Sequence, residues 1–238
     1  VKLLQGNRGR ITASQILAAI NPEDVHKPIS RLISLENTCN RGGGACYDFN
    51  ELVDIQKVAK AHQLGLHLDG ARIFNAIVNK KEDSKQYGKV FDSISICLSK
   101  GLGAPVGSVL VGDAAFIKKA RRWRKVFGGG MRQAGSLAAA GIYALDHHVD
   151  RLKQDHEKAL LIKDVLIKKD FVTEVFEVET NIVIAKIEGK YNATQLAALL
   201  KEHHILVIAM TPALVRFVLH LDITDEMLTT TIATIEKL

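Results

Sequence analysis

Lys100 stands in Ser95-Ile-Cys-Leu-Ser-Lys-Gly-Leu-Gly-Ala-Pro-Val-Gly-Ser108, directly after an apolar run that reads as a buried strand. Small and turn-forming residues follow it, then a second strand-like run. A lysine at such a strand-end turn is placed where α/β folds put reacting groups, on loops held by a rigid scaffold. Upstream, His67-Leu-Asp-Gly-Ala-Arg72 is another strand end, and it carries Asp69 and Arg72. A lysine amine that can form a Schiff base, and an acid that can pair with a pyridinium nitrogen, are the two protein groups that pyridoxal phosphate chemistry needs. From the residues alone each keeps a plainer alternative. Lys100 could be a surface lysine in a turn, Asp69 the N-cap of a helix starting at Ala71, and Arg72 its surface ion-pair partner.

Other chemistries find less support. The glycines of Gly101-Leu-Gly-Ala-Pro-Val-Gly107 do not fit GxGxxG, and no Lys-Ser/Thr pair makes a phosphate-binding Walker loop. Ser99 and Ser108 lack an acid–base partner, and the GxSxG elbow is absent. His67, His147, His148, His203 and His204 read as ordinary surface or core histidines. Adjacent His203 and His204 cannot point the same way on a helix, which makes a poor metal site. Cys39, Cys46 and Cys97 are odd in number and lack CxxC spacing, so they read as reduced thiols of a cytoplasmic protein, with no metal site.

The elements that must position Lys100 and Asp69 alternate between strand and helix. Strands are predicted over Arg31 to Glu36, Gly65 to Asp69, Val90 to Leu98 and Val106 to Val111. Helices are predicted over Asp48 to Gln63, Ala71 to Asn79 and Ala114 to Lys125. Met131 to about Lys168 reads as helical with a break near His147-His148. The pattern then turns β-rich, with strands over Val172 to Val178, Asn181 to Ile187, Ile205 to Ala209 and Val215 to Leu221. Helices over Ala193 to His203 and Asp225 to Glu236 complete the chain. This rhythm predicts an α/β fold with a mainly parallel sheet and a smaller C-terminal α/β domain. The expected division is 1–150 and 151–238.

The chain has 238 residues, 47% of them hydrophobic and 24% charged, ordinary for a globular protein. No apolar run is long enough for a membrane helix, and the start shows no basic-then-apolar secretory pattern. The formal charge of +6 is spread over predicted helix faces, apart from Lys118-Lys-Ala-Arg-Arg-Trp-Arg-Lys125. No zinc-finger, RNP or helix-turn-helix pattern accompanies that cluster, so nucleic acid is not the expected partner. An anionic cofactor and an acidic substrate would use the same cations.

Five segments in order carry a specific resemblance: Leu35-Glu-Asn-Thr38, His67-Leu-Asp-Gly-Ala-Arg-Ile-Phe-Asn-Ala76, Cys97 to Ser108, Arg124-Lys-Val-Phe-Gly-Gly-Gly-Met-Arg-Gln-Ala-Gly135 and Arg216-Phe-Val-Leu-His-Leu-Asp222. Together they resemble the low-specificity L-threonine aldolases, pyridoxal-phosphate enzymes of the aspartate-aminotransferase fold type. The resemblance implies retro-aldol cleavage of L-threonine or L-allo-threonine to glycine and acetaldehyde. Lys100 then matches the lysine that binds the cofactor covalently, Asp69 the carboxylate on its pyridine nitrogen, and Arg72 the arginine near its phenolic oxygen. Arg216 matches the arginine that clamps the substrate carboxylate, a task suited to its planar fork. Lys125 and Arg132 match basic residues approaching the site, Arg132 from a neighbouring subunit. His26 matches the histidine near the substrate hydroxyl, its alternative being an ordinary loop histidine. The resemblance further implies a cytoplasmic homotetramer, a dimer of dimers, acting on a small amino acid.

The chain departs from the family pattern at Cys39, where many members carry histidine. It also begins within the pattern. It resembles the C-terminal two-thirds of a member, so the cofactor-phosphate loop is expected to lie outside it. Two further readings stay open: another lyase of the same fold type acting on β-substituted amino acids, and a non-catalytic fragment unable to hold cofactor.

Overall fold

The computed structural model describes residues 1–238. Its first sheet has four strands in chain order: β1 (Leu32–Glu36), β2 (Gly65–Gly70), β3 (Ser93–Cys97) and β4 (Ser108–Gly112). β1, β2 and β3 run parallel, with Glu36 opposite Asp69 and Asp69 opposite Ser95. Parallel neighbours need a crossover. Here α2 (Phe49–Ala61) joins β1 to β2, and α3 (Ile73–Lys80) with α4 (Ser84–Val90) joins β2 to β3. β4 instead returns antiparallel to β3, pairing Cys97 with Ser108. The Lys100 turn is therefore the tip of a wide hairpin spanning 98–107.

The helices start where short polar side chains can satisfy their first amides. Asp83 and Asp113 accept from Lys85 and Phe116 to open α4 and α5 (Ala114–Val126). Ahead of the sheet, Thr12 and Gln15 form a reciprocal capping box on α1 (Ala13–Ala19). The long helix expected from Met131 is two helices, α6 (Gly135–His147) and α7 (Leu152–Leu166), broken just past His147-His148. Val90 belongs to α4 and not to the following strand, because the strand begins only after Phe91 and Asp92 have turned the chain.

The second sheet is antiparallel, in the order β5 (Val172–Val175), β6 (Ile182–Ile187), β8 (Leu214–Val218), β7 (Ile208–Ala209). The strand expected over Ile205 to Ala209 shrinks to its last two residues. Helices α7, α8 (Ala193–Glu202) and α9 (Asp225–Lys237) cover this sheet, and Ile162, Leu166, Val183, Ala185, Leu196, Val215 and Phe217 fill the space between. A separate core under the first sheet is built from Leu35, Tyr47, Leu52, Ile55, Leu66, Leu68, Ile73 and Ile94. No helix is long and apolar enough to cross a membrane.

Candidate active site

The carboxyl ends of the parallel strands form the rim on which the site is built. In open α/β sheets this rim is where ligands bind. Glu36 and Cys97 close β1 and β3 there, Asp69 is the last residue but one of β2, and Lys100 follows on the hairpin tip. A small cavity at this rim is lined by Arg72, Phe74, Cys97, Lys100 and Leu102. A larger groove, about 660 Å³, lies on the second sheet between β8 and α9. His203, His204 and His220 line it, but none of the candidate site residues does.

The Lys100 turn is held from beneath by the break between α6 and α7. His148 Nδ1 lies 2.6 Å from the Leu102 carbonyl oxygen, and Arg151 Nη1 donates to the Gly101 carbonyl at 3.5 Å. Arg151 is itself fixed by fully buried Asp155, one turn along, at 2.5 and 3.2 Å. Leu98, Leu102, Ala104, Ala144 and Leu152 form a small core under the same turn. A Cβ on Gly101 would come within 2.8 Å of Leu152 Cδ2, and one on Gly103, at φ +70°, within 2.5 Å of Leu221. A side chain at either point would have to displace a leucine tip, and at Gly103 the left-handed backbone itself favours glycine. Lys100 itself is exposed at the tip.

Asp69 is exposed, and its Oδ1 accepts the Ala71 amide at 3.1 Å. That bond closes a local turn. The N-cap of α3 is Arg72, so Asp69 is not the helix cap. Arg72 does not pair with Asp69 either. Its Nη1 donates to Asn40 Oδ1 at 3.3 Å, and Arg216 Nη1 donates to the same oxygen at 3.0 Å. Two guanidiniums from β8 and the β2–α3 turn thus meet at one neutral amide. Burial lowers the Arg72 pKa, and the charge of Arg216 lowers it further. The Arg216 Nε is buried without a partner.

Cys97 lines the same cavity as Arg72 and Lys100. Burial works to raise its pKa, but hydrogen bonding to Ser99, at 3.3 Å, and the nearby Lys100 charge outweigh it, and the net shift is downward. Cys39 differs. It is buried, its Sγ donates to the Glu36 carbonyl at 3.1 Å, and burial followed by Glu36 pushes its pKa up to about 12. It is an inert core thiol, packed against Gly9.

The remaining candidates do not join this cluster. His26 sits exposed on the loop before β1, where its backbone amide donates to Asp24 Oδ1. Lys125 is exposed at the end of α5, packed on Gly130, and Arg132 is exposed on the loop beyond. The residue that motif reasoning missed is Asn40. Its only sequence signal is its place two positions beyond Leu35-Glu-Asn-Thr38, and its partner Arg216 is 176 positions away.

The beta-eliminating lyase family model matches residues 1–190. The chain belongs to that family. It is 42% identical over 220 residues to the low specificity L-threonine aldolase of Escherichia coli O157:H7, covering 92% of this chain and 64% of that protein. Low-specificity L-threonine aldolase 1 of Arabidopsis thaliana is 42% identical over 200 residues, covering 83% of this chain and 56% of its own length. The chain thus spans less than two thirds of the length of these relatives. Among solved structures, Leishmania major threonine aldolase superposes with a TM-score of 0.82 at 18% identity, covering 98% of this chain and 69% of the other. That likeness shows the α/β fold.

Proposed function

We propose that this chain carries the core of a pyridoxal-phosphate-dependent lyase that cleaves L-threonine or L-allo-threonine to glycine and acetaldehyde. The observation that carries the reading is the convergence of Asp69, Arg72, Cys97 and Lys100 on one sheet rim, with Arg216 brought to it from the second sheet. The residues fit an anionic, electron-withdrawing cofactor and an amino-acid substrate. Two guanidiniums face one neutral oxygen, and the buried Arg216 Nε awaits an acceptor. Lys100 supplies the amine that would hold the cofactor, Asp69 the carboxylate for its ring nitrogen, and Arg72 a cation for its phenolic oxygen. When bound, pyridoxal phosphate supplies an electron sink for the pair left at the substrate Cα.

This chain's residues then bind and orient the substrate. Arg216 receives its carboxylate, which fixes the rotation of the Cα substituents relative to Lys100. Cleavage requires the β-hydroxyl to give up its proton as the Cα–Cβ bond breaks, and Cα to regain one. With the cofactor bound, Lys100 Nζ would be the amine of this chain placed at the rim to move a proton at Cα. The hydroxyl proton would go to one of three acceptors: His26 on its exposed loop, a water or a cofactor oxygen. Lys125 and Arg132 add positive charge on the α5 side, Arg132 toward a neighbouring subunit.

The same reading takes the chain as a cytoplasmic homo-oligomer, a homotetramer, divided near residue 150. The separate cores of the two sheets support the division, the buried free thiols Cys39 and Cys46 support a reducing compartment, and the exposed apolar residues of β4 and α5 support association.

The test is Lys100→Ala. The cofactor's near-visible absorption band should disappear after dialysis, and acetaldehyde release from threonine should fall to background. Retention of both would remove Lys100 from its role. The family description favours a second reading, β-elimination. Product analysis separates the two: acetaldehyde with glycine supports cleavage, and pyruvate with ammonia from a β-substituted amino acid supports elimination.

A further inference from the structure

We propose that Asn40 is the positioning residue of the carboxylate subsite. Its amide oxygen holds Arg72 and Arg216 together for an incoming carboxylate while neutralising neither. The inference rests on the reading of Arg216 as the carboxylate-binding residue.

The atom facing the arginines is assigned by chemistry. Guanidinium groups only donate, so the amide must present its oxygen to both. The distances are 3.0 Å to Arg216 Nη1 and 3.3 Å to Arg72 Nη1. The Asn40 backbone is fixed in turn, its amide donating to Glu36 Oε1 at 3.2 Å. Glu36 and Asp69 are the nearest carboxylates, paired across β1 and β2. Their side-chain hydrogen bonds go to the backbone amides of Asn40 and Ala71, not to the guanidiniums. Arg216 therefore meets a neutral acceptor on one edge and keeps its buried Nε unpartnered.

An aspartate at this position would serve the geometry equally well, yet it would occupy both cations permanently. Asparagine has the same shape without the charge, so it orients the fork and leaves its electrostatic demand for the ligand. The loop that carries Asn40 is clamped to the second sheet. Arg8 donates to the Gly42 carbonyl and to Glu177 and Glu179, and Thr180 donates to the Gly44 carbonyl. A Cβ on Gly42 would lie 1.9 Å from the Arg8 carbonyl oxygen, and one on Gly44 2.2 Å from Thr180 Oγ1. The strand that brings Arg216 and the loop that brings Asn40 are thus locked in register.

The experiment is calorimetric titration of glycine and glycinamide into the cofactor-loaded protein and its Asn40→Asp and Asn40→Ala variants. The two ligands differ only in the carboxylate. The unaltered protein should prefer glycine. Asn40→Asp should raise the glycine dissociation constant by roughly tenfold or more, as expected when a close charge pair is pre-empted, with glycinamide unaffected. Asn40→Ala should erode the preference by a smaller factor, because the fork loses orientation but gains no competing charge. A full glycine preference in both variants would overturn the proposal. So would equal weakening of both ligands, the mark of a purely structural residue. An unaltered protein that does not distinguish the ligands would overturn the assignment of Arg216 itself, and the proposal with it.

Discussion

The Asp69 carboxylate uses one oxygen locally, accepting the Ala71 amide at 3.1 Å, and leaves the other on the exposed strand-end rim. Asparagine preserves the local acceptor and removes only the charge. Asp69→Asn should therefore keep the β2–α3 turn and the melting temperature. Turnover should fall about a hundredfold or more, the scale of losing one positioned electrostatic group. Steady-state kinetics alongside thermal melts check this. A large drop in melting temperature with proportionate activity loss would return Asp69 to a structural role. The residue scale is also where motif reading was strongest. Asp69 and Lys100 each sit at a strand end flanked by glycine, and that punctuation is visible without coordinates. Asn40 was not legible, because its meaning comes from a contact 176 positions away. Arg72 was legible as a cation, but its shared acceptor with Arg216 was not, for the same reason.

Among the elements, those with a buried face announced themselves. In α2, Leu52, Ile55 and Ala59 recur at helical spacing and are all buried. The short helices α1 and α4 have seven residues each and bury little, so their periodicity is too brief to read. The α7 helix holds the two sheets together, and it does so through a histidine that must stay neutral. His156 is buried, with Nε2 3.0 Å from Asn75 Oδ1 on α3. Burial lowers its pKa from 6.5 to about 4. Above pH 6.5 both folded and unfolded chains carry it neutral. As the pH falls, the unfolded chain takes up a proton that the folded chain resists, so stability drops until about pH 4 and then levels off. The loss should be on the order of 3 kcal/mol at most. Denaturant titrations across this window should show the decline, and His156→Gln, which can still donate to Asn75, should flatten it. An unchanged slope in the variant would place the acid sensitivity elsewhere.

At the scale of the molecule, Arg216 works at the first sheet's rim only if the second sheet is held in place. The clamp of Arg8 on Glu177 and Glu179, 169 and 171 positions away, is one polar part of that hold. Glu179 also accepts the Cys46 amide at 3.2 Å, and its side chain is only 10% exposed. Arg8→Ala should cost about 2–3 kcal/mol, somewhat below the loss from breaking a fully buried pair. It should also weaken glycine binding through Arg216. Adding Glu179→Gln should recover part of the stability, because without Arg8 the carboxylate keeps only Lys80, at 4.0 Å, as a cationic partner, and a strictly additive double variant would contradict the clamp. The last expectation concerns the sheet's open side. β4 pairs only with β3, and Val109, Leu110 and Val111 remain 43%, 39% and 43% exposed. Successive strand residues point to opposite faces, so both faces of this edge are apolar as well as unpaired. Helix α5 beside it buries none of its residues, and Trp123 and Phe127, stacked on each other, add apolar surface at 59% and 82% exposure. An edge of this kind invites pairing. Residues 1–238 should therefore sediment as associated species. The association should persist at high salt, because it rests on apolar contact rather than ion pairs. Leu110→Lys puts a charge on the edge and should shift the distribution toward monomer. A monodisperse monomer at micromolar concentration, indifferent to Leu110→Lys, would show that this strip has no role in assembly.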